Sequence, residues 1–334
     1  MTDNNTLTEQ ARFMAMLHHR TPHLKDGDSI VPPLTLSSTF HLSGTDNPSL
    51  VYARDANPTV LDVEAKLSLL EDAPSYLFAS GMAAYLAVFM AVVKSGDKVL
   101  VLSDGYYHVR TVLTEIFSGL GVEMVTCSAR DIATFPLDGI RLAILESPTN
   151  PSLDVVDIKA FSARAKKAGC LTAVDNTICT PLLQRPLDLG ADIVVASDTK
   201  AAGGHSDLIL GHVSARDEDL VEKIHQARTL GGGIADPFAA WQLSRSLDTL
   251  ELRLARMCDN AQAVADMLAG HASVVVVRYP GLKSDTAYEV ATEQMRHPGF
   301  LIGVTFASQS LAEKFMTDSG VIISATSFGS VHTS

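Results

Sequence analysis

A chain of 334 residues with 46% hydrophobic and 19% charged side chains has ordinary globular composition and room for about two domains, which excludes a disordered, collagen-like or small disulfide-stapled protein. Its 38 Asp and Glu outweigh 26 Lys and Arg, giving a formal net charge of −12. No Lys/Arg cluster interrupts that excess, so nucleic acid and anionic membrane surfaces are excluded as main partners.

The first stretch, residues 1–55, reads as an N-terminal arm. Met1 to Gln10 is polar and acidic with no apolar signal core, and the longest apolar run, Met82 to Val93, is too short to span a bilayer, so neither an export signal nor a membrane anchor is expected. Pro32-Pro33 and the polar stretch from Ser37 to Ser49 break any periodicity. His18, His19 and His23 have no acidic or cysteine companion at ligand spacing, and are assigned to solvated surface. The four cysteines, Cys127, Cys170, Cys179 and Cys258, form no CxxC pair. That spacing predicts reduced thiols in a cytoplasmic protein and no metal site.

From residue 56 to about 245 the pattern is that of a large α/β domain. Val60 to Leu70 and Gly81 to Val93 carry helical spacing; then short apolar runs, Val99–Leu102, Leu142–Leu145, Leu171–Val174 and Ile193–Ala196, alternate with helical segments. Continuous apolar runs of this length predict strands buried on both faces of a mostly parallel sheet. Between the second and third runs, a helix is expected to start near Asp154, bury Ile158, Phe161 and Ala165, and stop at Gly169. A single long helix is expected over Phe238 to Leu268. It leads into a C-terminal domain, 246–334, that begins with the strand-like Val274–Val277.

In open parallel sheets, ligands bind beyond the carboxyl ends of the strands. Those ends carry Asp104-Gly105-Tyr106-Tyr107, then Glu146-Ser147-Pro148-Thr149-Asn150-Pro151, then Asp175-Asn176-Thr177, and finally Ser197-Asp198-Thr199-Lys200. One polar loop is unremarkable, but a ring, an Asn, a carboxylate and a Lys among hydroxyls on one crevice suit pyridoxal 5′-phosphate. That cofactor needs an amine for its aldehyde, a carboxylate beside its pyridine nitrogen, a stacking ring and phosphate donors.

Seven strings strengthen this reading: Tyr52-Ala53-Arg54-Asp55-Ala56-Asn57-Pro58-Thr59, Ser80-Gly81-Met82-Ala83-Ala84, the Glu146–Pro151 string, Val174-Asp175-Asn176-Thr177, Ser197–Lys200, Gly204-His205-Ser206-Asp207 and Tyr279-Pro280-Gly281-Leu282. In order and spacing, from about Ile30 to Gly329, the chain resembles the transsulfuration (Cys/Met metabolism) family of fold-type-I pyridoxal-phosphate enzymes. The resemblance implies the fold-type-I architecture, a sulfur amino acid substrate and a homo-oligomer, a dimer of dimers with active sites shared between subunits.

The resemblance also implies residue roles. Lys200 is the Schiff-base lysine and proton shuttle, Asp175 the partner of the pyridine nitrogen, and Tyr106, rather than Tyr107, the stacking ring that takes part in proton transfer. Gly81, Met82, Ser197 and Thr199 hold the phosphate, joined by Tyr52 and Arg54 of a neighbouring subunit. Asn150 contacts the cofactor and the substrate carboxylate side, and Ser327 and Phe328 belong to the substrate loop. His205 shapes its turn, and Cys179 is a buried small residue by default.

Three departures stand out. The family's Tyr-Gly-Gly-Thr reads Tyr106-Tyr107-His108-Val109 here, its Tyr after the lysine is Ala201, and His332 follows the Ser327-Phe328-Gly329 string. The family's Arg that clamps the substrate carboxylate lies further along its chains, so it is matched by no residue here, and the C-terminal domain is expected to be incomplete. The expected reaction is γ-elimination of cystathionine to cysteine, ammonia and a 2-oxo acid. The alternatives within the class are γ-replacement of the synthase type and β-elimination; the alternative of another class is a cofactor-binding protein without turnover.

Overall fold

The four apolar runs form the middle of one sheet. In the computed structural model, which describes residues 17–18, 25–44 and 50–334, they are β2 (Lys98–Leu102), β4 (Ile140–Glu146), β5 (Leu171–Asp175) and β6 (Ile193–Ala196). With β1 (Ser75–Phe78), β3 (Glu123–Cys127) and β7 (Gly211–Ala215) they give seven strands in the order β1-β7-β6-β5-β4-β2-β3. Strands β2 to β6 pair in parallel, while β7 lies antiparallel between β6 and β1. The antiparallel turn arises because the β6–β7 connection, residues 197–210, returns as a loop instead of crossing over through a helix. That loop carries Lys200. Apolar clusters cover both faces of the sheet, one built on Phe89, Val101 and Ile144 and another on Leu100, Leu145 and Phe161.

Helix boundaries follow their caps. Helix α1 (Pro58–Glu71) starts where the Asn57 side chain accepts hydrogen bonds from the amides of Thr59 and Val60, with Pro58 at the first position. Helix α2 (Gly81–Val92) starts at Ser80, whose Oγ accepts from the Ala83 amide at 3.0 Å. After β2 come α3 (Tyr107–Val112) and two short irregular helical turns that run on to Leu120. Helix α4 (Ile158–Ala168) buries Ile158, Phe161 and Ala165 and ends at Gly169, as its spacing predicts, but its cap is Asp157, three residues later than expected. A four-residue turn, α5 (Thr180–Leu183), and α6 (Glu218–Gly231) complete the units around the sheet.

The single helix expected over Phe238–Leu268 is two: α7 (Pro237–Leu247) and α8 (Leu250–Ala269). Thr249 leaves helical geometry at φ −114°, ψ 6°, and the Asp248 carboxylate accepts from Lys66 Nζ at 2.7 Å. Because Leu247, Leu250 and Leu254 all enter the same core, the apolar pattern runs through the break and conceals it. Val274–Val277 lies, as expected, in a strand, β8 (Val274–Arg278), paired antiparallel with β9 (Gly303–Phe306). Helices α9 (Tyr288–Gln294) and α10 (Gln309–Asp318) flank this second, two-stranded sheet. Arg278 ties it to the loop after β4, donating to Asp154 at 2.8 Å, and is also held within its own unit by Asp285 at 3.0 Å.

The described part of the arm has no helix or strand beyond the short turn at Leu17–His18 and an isolated bridge between Thr39 and Tyr52. Trp241 Nε1 donates to the Pro32 carbonyl at 3.2 Å, and Asn57 Nδ2 to that of Thr35 at 2.9 Å, which seats the arm on α7 and α1. His18 Nε2 is 2.9 Å from the Asp248 carbonyl oxygen, while Met1–Gln10, His19 and His23 lie outside the described residues. Among the described residues no helix is long and apolar enough to cross a membrane, and no group of three or more His, Cys, Asp or Glu is placed to hold a metal.

Candidate active site

The carboxyl ends of β2, β4, β5 and β6 converge on a cavity of about 520 Å³. Gly81, Met82, Tyr106, Asn150, Asp175, Ser197, Thr199, Lys200, Ser327 and Phe328 all line it. Tyr52 and Arg54 do not: Arg54 lies over the Tyr52 ring at 5.5 Å and donates to the Thr229 carbonyl at 3.2 Å, outside the cavity of its own chain. Cys179 also stays out, fully buried in the core beneath α1 and α7.

At one side, α2 begins against the Ser197 loop. A Cβ on Gly81 would come within 2.9 Å of Ser197 Cβ, so only glycine lets the helix start approach this closely. The helix N-terminus leaves early amides without intrahelical acceptors, which makes it an anion site when hydroxyls are set beside it. Ser197 provides one. The Thr199 hydroxyl lines the cavity but is engaged with Leu210, donating to its carbonyl and accepting from its amide at 3.1 Å each.

Deeper in the cavity stand two buried carboxylates. The β4–β5 register sets Glu146 directly opposite Asp175. Asp175 accepts from the Tyr85 hydroxyl at 2.7 Å and from the Thr177 amide at 2.8 Å. Burial pushes its carboxyl up, and those donors, with the charge of His212, work against the rise. Glu146 is pushed up as well, by burial first and Asp175 second. Both its oxygens are committed, Oε2 to the Tyr106 amide at 2.6 Å and Oε1 to the Asn150 amide at 3.0 Å. Glu146 therefore fixes the two loops that carry the ring and the Asn. Burial, then Tyr107 and the two carboxylates, raises the Tyr106 phenol.

Lys200 Nζ donates to Ser327 Oγ at 2.6 Å and lies 5.1 Å from the centre of the Phe328 ring. Burial lowers its pKa, opposed by the charge of Asp175, which raises the share of neutral, nucleophilic amine. The segment that brings Ser327 and Phe328 here depends on Gly329, at φ +85°, where a Cβ would come within 2.6 Å of the Ala201 amide nitrogen.

Several groups that the sequence reading left without a role stand at or behind the cavity. Tyr85 is one turn along α2 from Gly81, hidden in an otherwise apolar helix. His212 is buried on β7 with Nδ1 2.9 Å from Asp198 Oδ1 and Nε2 3.3 Å from Glu71 Oε1. Although burial works against its charge, the two carboxylates raise His212 to about 10. Tyr107 and His108 complete the lining, their rings 4.0 Å apart.

An anion cradle, a ring, a carboxylate flanked by donors and a lysine with a lowered pKa make a donor set that fits pyridoxal phosphate. A family model described as "Cys/Met metabolism PLP-dependent enzyme" matches residues 15–334. The chain belongs to this family. It is accordingly a pyridoxal-phosphate-dependent enzyme of the fold-type-I class. It is 37% identical to the cystathionine gamma-synthase of Mycobacterium bovis over 306 residues, 90% of this chain and 79% of that protein. To the cystathionine gamma-lyase of Bacillus subtilis it is 35% identical over 311 residues, 92% of this chain and 82% of the relative. The crystal structure of cystathionine gamma synthase from Xanthomonas oryzae pv. oryzae, in complex with aminoacrylate and cysteine, superposes with a TM-score of 0.92 at 31% identity, covering 98% of this chain and 86% of that one.

Proposed function

We propose that this enzyme is a carbon–sulfur lyase that removes cysteine from cystathionine by γ-elimination. The observation that carries the reading is the Lys200 amine, its pKa lowered by burial and its Nζ donating to the Ser327 hydroxyl, in one cavity with Asp175. Bound pyridoxal phosphate supplies an electron sink for the α-carbon. Asp175 would hold its pyridine nitrogen, Tyr106 its ring face, and Gly81, Met82, Ser197 and Thr199 its phosphate. Lys200, once displaced by substrate, would take the proton from Cα, give it up, and as a free amine again take one from Cβ, which an amine that has left a weak hydroxyl partner can do. Asn150, Ser327 and Phe328 would face the substrate.

Incubation with cystathionine should give cysteine, ammonia and 2-oxobutanoate in equal amounts. Pyruvate with homocysteine would replace this by β-elimination, and cystathionine made from cysteine and an activated homoserine would replace it by γ-replacement. No product from any of these would leave a cofactor-binding protein without turnover.

The same reading makes the enzyme a homo-oligomer, a dimer of dimers in the cytoplasm, with Tyr52 and Arg54 reaching the phosphate of a neighbouring subunit. Their place outside their own cavity and the exposed arm side chains Ile30, Val31 and Leu36 support it. Mixed dimers of Arg54→Ala and Lys200→Ala chains should then recover activity, up to about a quarter of the wild-type level per mixed population, since one site in each hybrid has both residues intact. Absence of recovery under proven subunit exchange would exclude shared sites.

A further inference from the structure

Where the family pattern has two glycines after its tyrosine, this chain places Tyr107 and His108, and both rings line the cavity. His108 is half-buried and held by ring contacts alone, with Tyr107 at 4.0 Å and edge-on to Tyr106 at 5.4 Å. Among the described residues neither of its ring nitrogens has a hydrogen-bond partner. The carboxylates and the amine of the cavity are engaged, which leaves the Tyr106 and Tyr107 phenols beside the imidazole. Both Glu146 oxygens accept backbone amides, Asp175 accepts from Tyr85 and Thr177, and Lys200 is the amine of the reading above. Tyr106 is buried beside two carboxylates and so holds its proton more tightly than a free phenol. Imidazole is the side chain suited to giving up a proton near neutral pH.

We propose that His108 is a catalytic acid that protonates the departing sulfur, an inference that rests on the carbon–sulfur lyase reading. As the Cγ–S bond breaks, its electron pair stays on sulfur, and the pair left at Cβ by proton removal closes the Cβ=Cγ bond. The imidazolium gives its N–H proton to sulfur, so that a neutral thiol leaves and a neutral imidazole remains, to be reprotonated from solvent. Tyr107 packs on the ring and keeps it turned toward the cavity.

The test compares leaving groups in the holoenzyme. His108→Gln should lower kcat/KM for cystathionine, whose thiol is a weak acid, by roughly 10²-fold or more, the usual contribution of a positioned proton donor. For S-(4-nitrophenyl)homocysteine, whose thiolate is stable without a proton, the loss should stay under about 5-fold, because protonation no longer limits departure. A second measurement needs no turnover. α-Methylcystathionine, which has no α-proton to lose, should protect His108 from carbethoxylation, read from the mass of its peptide, while leaving exposed histidines reactive. Equal losses on both substrates, or no protection when the analogue is bound, would overturn the role of His108 while the lyase reading stood. Wild-type protein inert toward all of these substrates would overturn both together.

Discussion

Lys200→Ala is expected to abolish covalent attachment of the cofactor and to lower kcat/KM for cystathionine by at least about 10³-fold, since one side chain is asked both to anchor the aldehyde and to move two protons. The structure explains why this lysine is suited to both tasks. Its amine is half-buried, which lowers its pKa and favours the neutral nucleophile, while Asp175 opposes that shift. Its Ser327 partner is a hydroxyl that can accept a hydrogen bond without locking the amine as an ion pair would. Borohydride reduction followed by peptide mapping should find the adduct on Lys200 in the wild type and nowhere in the variant. An adduct on another lysine in Lys200→Ala, with activity retained, would show that the assignment is wrong.

The apolar middle of the sheet was legible because β2, β4, β5 and β6 are buried on both faces and so contain little but Val, Ile, Leu and Ala. The other three strands were not, each for its own reason. β1 reads Ser-Tyr-Leu-Phe, opening on a polar residue and leaving its tyrosine half-exposed, and β3 has mixed exposure at the sheet edge. β7 reads Gly-His-Val-Ser-Ala, a polar sequence that is nonetheless wholly buried because its polar groups find partners inside: the Ser214 hydroxyl meets that of Ser75 at 2.6 Å, and His212 meets two carboxylates.

The residues of the cavity were legible for a related reason. Apart from Ser327 and Phe328 they sit between the last residue of a strand and four positions beyond its end, where a sequence pattern marks position along the chain. What the chain order hides is lateral contact. The pairing of Glu146 with Asp175 depends on the β4–β5 register, and the Tyr85–Asp175 hydrogen bond depends on how α2 packs on the sheet. Glu146 stood in a recognised string without a role, and the register is what gives it one.

The His212 cluster carries the second large expectation, and its effect falls on stability. His212, Asp198 and Glu71 are all nearly inaccessible to solvent, so His212→Leu leaves two carboxylates buried together with no cation. Breaking a buried pair by removing one partner typically costs about 3–5 kcal/mol, and in a chain of this size that lowers the unfolding midpoint by roughly 5 °C or more.

The sign of the pH dependence follows from the raised pKa. A folded-state value of about 10 against an ordinary histidine near 6.5 means that the folded protein holds the proton more tightly than the unfolded chain. This contribution is therefore fully present below about pH 6.5 and is lost as the pH rises toward about 10. Wild type should exceed His212→Leu by the full margin at pH 6, and the margin should shrink steadily up to pH 10. Urea unfolding of both proteins at a series of pH values measures it directly, and the difference between them removes the groups away from this cluster that titrate in that window. A margin independent of pH would mean that His212 is neutral in the fold and contributes only its packing. Asp175 responds to the same charge: with the imidazolium gone, the groups that oppose its rise are reduced to the Thr177 and Tyr85 hydrogen bonds. Cofactor affinity should accordingly weaken in His212→Leu even though His212 does not line the cavity.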